Sequence, residues 1–200
     1  MIITKAVYNM KLLQDKIKSE GRVIAGSVLK VDTFLNHQID VKLVSECGKA
    51  WYELFKDEGV TKILTIESSG IGIACLTAQY FDVPVVYAKK TRSGSRNNDS
   101  YSTKVVSYTH GQSYEVVISK ELISKGDRIL LIDDFLAHGS ALKVLINLAE
   151  MAGATVVGAG VAIEKAYQNG GKDIRSLGYR IESLAKIESM DENGIVFAKD

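Results

Sequence analysis

Residues 129–141 of this 200-residue chain put a short apolar run, two acids and a small-residue loop in sequence: Ile129-Leu130-Leu131-Ile132, Asp133-Asp134, Phe135-Leu136, then Ala137-His138-Gly139-Ser140-Ala141. A buried strand that ends on a carboxylate pair and turns through small residues into a helix makes two sites side by side. The loop amides and the helix N-terminus hold an anion such as phosphate. The acids repel that anion and suit sugar hydroxyls or Mg²⁺. A ligand carrying both phosphate and sugar hydroxyls satisfies the two together. Glu67-Ser68-Ser69-Gly70, Lys89-Lys90-Thr91-Arg92 and Glu164-Lys165 also follow apolar runs. Ligands of open α/β sheets bind at the carboxyl ends of the strands. Four loaded strand exits therefore point to one site.

The elements that must position these residues are read from hydrophobic period. Lys62–Ile66, Val83–Ala88, Arg128–Ile132 and Val156–Ile163 read as buried strands, and residues 71–81 and 141–152 as helices. Residues 133–141 read as the exit loop between strand 128–132 and helix 141–152. With strand 156–163 these make a βαβ unit, so the sheet is at least partly parallel and covered on both faces. Asp40 reads as the N-cap of a helix in which Val41, Val44, Cys47, Trp51, Leu54 and Phe55 recur at helical spacing before Gly59. Residues 10–21 read as a short amphipathic helix after a loose extension, 1–9. Residues 29–40 look too polar and irregular for a core element. Residues 89–103 read as a long polar loop, followed by a hairpin of 104–109 and 114–119 around His110-Gly111-Gln112. A strand near 179–188, a turn at Asp191–Gly194 and a strand at 195–198 complete an α/β reading. It is one domain over residues 1–200 with an N-terminal flap.

Composition narrows the function. The formal net charge is +1, so no global field draws the chain to nucleic acid or an anionic membrane. Two cysteines without a CxxC, and three scattered histidines, argue against a structural zinc site and for reduced thiols in the cytoplasm. The N-terminus lacks the apolar stretch of a signal peptide, and no apolar run is long enough to span a membrane. A dinucleotide GxGxxG and a P-loop GxxxxGK[ST] are both absent.

The run from Ile129 to Ala141 resembles the phosphoribosyl-diphosphate (PRPP) signature of the type I phosphoribosyltransferases. LKVDTFLNHQID, TIESSGI, ILLIDDFLAHGSA, VAIEKAYQ and LGYRIESLAKI together resemble the bacterial xanthine phosphoribosyltransferases, from about Met10 to the C-terminus. The resemblance implies the type I fold: a central, mostly parallel sheet flanked by helices, under a small hood. The hood is expected mainly from residues 10–40 plus the C-terminal segment, and a mobile catalytic loop from residues 90–113. The implied reaction joins a purine base to PRPP, releasing pyrophosphate and a purine nucleoside 5'-monophosphate.

By the same resemblance Ala137, His138, Gly139, Ser140 and Ala141 wrap the 5'-phosphate through backbone amides. Asp133 and Asp134 meet the ribose hydroxyls. Glu67, Ser68, Ser69 and Gly70 form the pyrophosphate loop, built around a cis or strained non-proline peptide. Lys89, Lys90 and Arg92 lie near the leaving pyrophosphate, where charge grows in the transition state. His138 departs from the small polar residues common in relatives and is expected to tune PRPP affinity. Mg²⁺ is implied, held through the pyrophosphate and ribose hydroxyls with few protein ligands.

Lys165 is implied as the base-reading residue. An ammonium offers three donors and no acceptor. It therefore suits the 6-carbonyl of xanthine, guanine or hypoxanthine and opposes the 6-amine of adenine. Leu29 and Asn36 match flap residues that meet the base, and Phe135 or Leu136 is placed to cover its face. Asn36 both donates and accepts, so it does not by itself separate xanthine from guanine. Xanthine is the expected base, with guanine or hypoxanthine as alternatives and a non-catalytic PRPP sensor as a third reading. A cytoplasmic homodimer is implied as well.

Overall fold

A computed structural model describes residues 2–25, 28–92, 99–106 and 113–198. The chain runs α1 (Ile2–Glu20), β1 (Arg22–Ile24), β2 (Val28–Lys30), a π-helical turn (Asp32–Asn36), α2 (Val41–Phe55), β3 (Lys62–Ile66), α3 (Ser69–Phe81), β4 (Val85–Arg92), β5 (Ser100–Val106), β6 (Ser113–Ser119), β7 (Arg128–Leu136), α4 (Ser140–Met151), β8 (Thr155–Lys165), α5 (Gly170–Ser176), β9 (Ile181–Asp191) and β10 (Gly194–Phe197). Eight strands form one sheet in the order β10-β9-β8-β7-β3-β4-β6-β5, and β1 pairs with β2 apart from it. The middle strands β9, β8, β7, β3 and β4 are parallel. Antiparallel strands extend both edges, giving a mixed sheet with a parallel centre.

Both faces are covered, which is why β3, β7 and β8 read as unbroken apolar runs rather than alternating ones. On one face Leu130 and Ile132 of β7 pack with Trp51, Phe55, Leu13 and Ile17 of the helices and with Phe34 and Leu35. On the other, Leu131 and Val161 pack with Leu142, Leu145 and Leu148 of α4.

Four sequence expectations need correction. The first helix does not begin at Met10: it includes residues 2–9 and is closed at Gly21, whose N–H donates to Ile17 O at 2.8 Å. Residues 29–40 are not excluded from the core, because Val31, Phe34 and Leu35 are fully buried. Their spacing of three and four puts them on one side of a single turn, which a polar average hides. The polar stretch 89–103 is not one loop. Lys89–Arg92 continue β4 and Ser100–Thr103 begin β5, both registered on β6. Pairing, rather than apolar content, defines these ribbons. Lastly, β7 runs on through Asp133–Leu136, in register with Val161–Glu164 of β8. The hairpin of β5 and β6 is as expected in its paired parts. Residues 93–98 and 107–112 of the expected mobile loop, with the His110-Gly111-Gln112 turn, lie outside the described residues.

Asp40 caps α2 as its position suggested, accepting from Leu43 N at 3.1 Å. That bond and Lys16 of α1, 3.3 Å away, hold its carboxyl below the ordinary aspartate range against a smaller opposing effect of burial. We expect Asp40→Ala to cost about 1 kcal/mol in urea unfolding and Asp40→Asn only a few tenths, since asparagine caps equally well. Equal losses in both variants would assign the effect to the Lys16 ion pair instead.

Candidate active site

Because the middle strands are parallel, their carboxyl ends open on one edge, and the chemistry-bearing residues gather there. Asp133 and Asp134 occupy β7 before the loop Ala137–Gly139, and α4 begins at Ser140. Gly139 has φ 77°, a left-handed turn that glycine adopts without strain, and its carbonyl accepts from Lys143 N at 2.9 Å. The loop thus feeds directly into the first turn of α4.

Asp133 is 4% exposed. Its Oδ1 accepts from Asp134 N at 2.9 Å, and Asp134 Oδ1 accepts from Phe135 N at 2.9 Å. Burial, and then the neighbouring Asp134 carboxylate, push the Asp133 carboxyl well above the ordinary range. Lys90 opposes that rise, so its cation is felt at the acid pair from the next strand but one. Lys89 points elsewhere: its Nζ lies 5.8 Å from the centre of the Tyr87 ring. Adjacent residues of a strand face opposite ways, and the two lysines are separated on that ground. Arg92 ends β4.

The Glu67–Ser68 peptide is cis, as the resemblance implied for this loop. Glu67 Oε1 accepts from Lys90 N at 2.5 Å, tying the loop to β4. Ser69 and Gly70 open α3. A methyl group on Gly70 would collide with Thr65 Oγ1 and come within 3.3 Å of Asp133 Oδ1. Glycine fits there because the loop passes so close to Thr65, with Asp133 next nearest. Thr65 Oγ1 is buried with no hydrogen-bond partner.

The turn Asp32–Asn36 reaches the same edge. Asn36 Nδ2 donates to Asp134 Oδ2 at 3.4 Å, joining residues 98 positions apart. Phe135 is half-buried against the hood-side core. Leu29 is itself part of that core. Lys165 ends β8, half-buried, and burial lowers its pKa. His138 is exposed.

Sequence reasoning missed a second charged cluster behind the loop. Glu164, 3% exposed, binds Arg175 of α5 through two bonds of 2.6 and 2.7 Å and accepts from Ser183 Oγ of β9 at 2.5 Å. Burial raises its carboxyl, but Arg175 and Ser183 outweigh it and the net shift is downward. The available signal was Gly170-Gly171, the chain's one Gly-Gly pair, just after the loaded exit at Glu164. Among the described residues no group of three or more His, Cys, Asp or Glu forms a metal cage. The acid pair does offer hard oxygen donors, the type that suits an Mg²⁺ shared with a phosphate-bearing ligand.

An acid pair, a small-residue loop leading into a helix, and Lys90, whose charge is felt at the acids, come together at the carboxyl ends of a parallel sheet. Residues 32–198 match the phosphoribosyl transferase domain, and the chain belongs to that family. It is 52% identical to a xanthine phosphoribosyltransferase of Lachnoclostridium phytofermentans, over 96% of this chain and all of the relative. A xanthine phosphoribosyltransferase of Bifidobacterium adolescentis is 53% identical over 94% of this chain and 98% of its own length. The fold is shared with an adenine phosphoribosyltransferase from Rhodothermus marinus, at a TM-score of 0.71 and 23% identity, covering 88% of this chain and 99% of that one. It is also shared with an APRTase from Giardia lamblia solved with 9-deazaadenine, at a TM-score of 0.73 and 21% identity, covering 87% and 97%.

Proposed function

We propose that this protein transfers the phosphoribosyl group of PRPP to xanthine, giving xanthosine 5'-monophosphate and pyrophosphate, a purine-salvage reaction. The observation that carries the reading is the meeting of the acid pair, the phosphate loop and Lys90 at one sheet edge, in a chain about half identical to xanthine phosphoribosyltransferases. In this reading the amides of Ala137–Ala141 hold the 5'-phosphate, and Asp133 and Asp134 hold the ribose hydroxyls. Glu67–Gly70, Lys90 and Arg92 receive the pyrophosphate. Lys89 belongs less directly to this set, given its contact with Tyr87. The base nitrogen attacks the anomeric carbon as the bond to pyrophosphate breaks. Fixed cations then stabilise the charge that builds on the leaving group. Lys165 donates to the 6-carbonyl, while Phe135, Asn36 and Leu29 form the hood side of the base pocket.

Mg²⁺ belongs to this reading, with Asp133 and Asp134 as the protein groups nearest to holding it. When bound it neutralises diphosphate charge. A homodimer follows from the family resemblance. A cytoplasmic setting agrees with Cys47 and Cys75, neither of which is in a disulfide.

One observation favours guanine as a second substrate. The Asn36 amide nitrogen is taken by Asp134, and its Oδ1 has no partner, so the group left over is an acceptor suited to a 2-amine. Turnover with PRPP, Mg²⁺ and each of xanthine, guanine, hypoxanthine and adenine tests the proposal. Preference for xanthine is the expected result. Preference for guanine keeps the PRPP site and changes the reading of position 2. PRPP binding without turnover on any base would replace the enzyme by a sensor.

A further inference from the structure

The Glu164 cluster lies next to the reactive edge, yet nothing in the transfer reaction uses it. Its carboxylate accepts three hydrogen bonds from Arg175 and Ser183, and Arg175 Nη2 also reaches Ile181 O at 3.4 Å. A bidentate, fully satisfied pair of this kind fixes direction as well as distance. What it fixes is α5, a helix of 7 residues. A helix so short has little stability of its own and takes its position from its contacts.

Those contacts run from the acid to the phosphate loop. A methyl on Gly171 would collide with the Glu164 carboxylate. A methyl on Gly170 would strike the loop on its other side, colliding with Ala137 O and lying 2.5 Å from Gly139 N. Gly170 N donates to Ala137 O at 3.2 Å. Fully buried Ile174 packs under the loop, its Cδ1 2.9 Å from where a Gly139 Cβ would be. The helix is wedged between a charged anchor and the loop backbone, with bare glycine at both contacts.

We propose that Glu164, Arg175 and Ser183 are positioning residues that hold α5 against Ala137–Gly139 and so fix the loop amides in the geometry that grips the 5'-phosphate. The inference rests on the reading of Ala137–Ala141 as the phosphate loop. Amide binding of phosphate depends on several N–H groups converging on one point, and misplacement by about 1 Å costs about a hundred-fold. Lysine has no fork with which to replace the bidentate guanidinium.

The test uses Arg175→Lys in the full chain, in two measurements. Hydrogen exchange of the ligand-free protein is expected to be about ten-fold faster in peptides covering residues 169–178, where Gly170 N is bonded to Ala137 O and the N–H groups of Asp173, Leu177 and Gly178 are bonded within the segment, with residues 128–133 of β7 unchanged. In the assay KM for PRPP is expected to rise about ten-fold, with KM for xanthine and kcat within about two-fold. If the variant fails to fold, Gly170→Ala strikes the same contact from the loop side with the ion pair intact, and the same two results are expected. Wild-type exchange of α5 in a folded variant overturns the proposal, as does fast exchange of α5 with an unchanged KM for PRPP. Failure of the wild-type protein to use xanthine is a different result. It overturns the functional reading, and α5 exchange still decides whether the cluster anchors that helix.

Discussion

Asp133→Asn combined with Asp134→Asn is expected to lower kcat/KM for PRPP by about a hundred- to ten-thousand-fold while leaving the protein folded. Each carboxylate would supply a charge-assisted hydrogen bond to a ribose hydroxyl, worth about 1.5–3 kcal/mol, and about 1.4 kcal/mol is a factor of ten in rate. The same chemistry makes Asp133 a burden on stability. Its carboxyl titrates above the ordinary range because it is buried and faces Asp134. The stability it lends is therefore complete below the ordinary carboxylate pKa and is lost as pH rises through its raised value. Asparagine keeps the carbonyl that accepts from Asp134 N and cannot ionise. Asp133→Asn alone should then melt higher than wild type at pH 8, by about 2–4 °C for each kcal/mol relieved, and the gap should close at acid pH. Calorimetry at pH 8 and again below the ordinary carboxylate pKa reads this directly. Wild-type turnover in the double variant would remove the pair from the ribose site, and an unchanged melting temperature would remove the cost of burying the charge.

Lys165→Ala is the second large effect. In the proposed site, loss of its donor leaves the 6-carbonyl of the base unpaired, and kcat/KM for xanthine is expected to fall about ten- to a hundred-fold. Burial lowers the lysine pKa, so desolvation already opposes its charged form, and removing the charge should leave the fold intact. Adenine should lose nothing, since its 6-amine had no acceptor in lysine. The ratio of oxopurine to adenine use should thus shrink, measured on one enzyme preparation with matched PRPP. A ratio that stays at the wild-type value would place Lys165 outside the base pocket.

Much of this site is legible in the chain because its parts are local. The strand Lys62–Ile66 is read at its observed limits, since a short β-branched run between turns has no competing period. The loop from Ala137 to Ala141 is contiguous, and so is the acid pair. What sequence spacing does not carry is pairing at a distance. Lys89–Arg92 became strand through register with Tyr114–Val117, and no apolar pattern announced it. Asn36 meets Asp134 across 98 positions, and Glu164 meets Arg175 and Ser183 around a turn and a short helix. Charged residues like these read as solvated until the topology buries them. Phe34 and Leu35 were hidden in a different way, their helical turn being too short for a period to show.

The hood is not a separate layer resting on the sheet. Leu13, Ile17, Leu29, Phe34 and Leu35 belong to the same apolar cluster as Trp51 and as Leu130 and Ile132 of β7. Moving the hood as a rigid body would mean prising open close-packed interior, which protein cores resist. A base bound as proposed would therefore meet a wall whose ordering entropy was spent during folding. In the proposed reading, recognition of the 2-substituent at this end is preorganised, a fixed template met before any other part of the protein has moved.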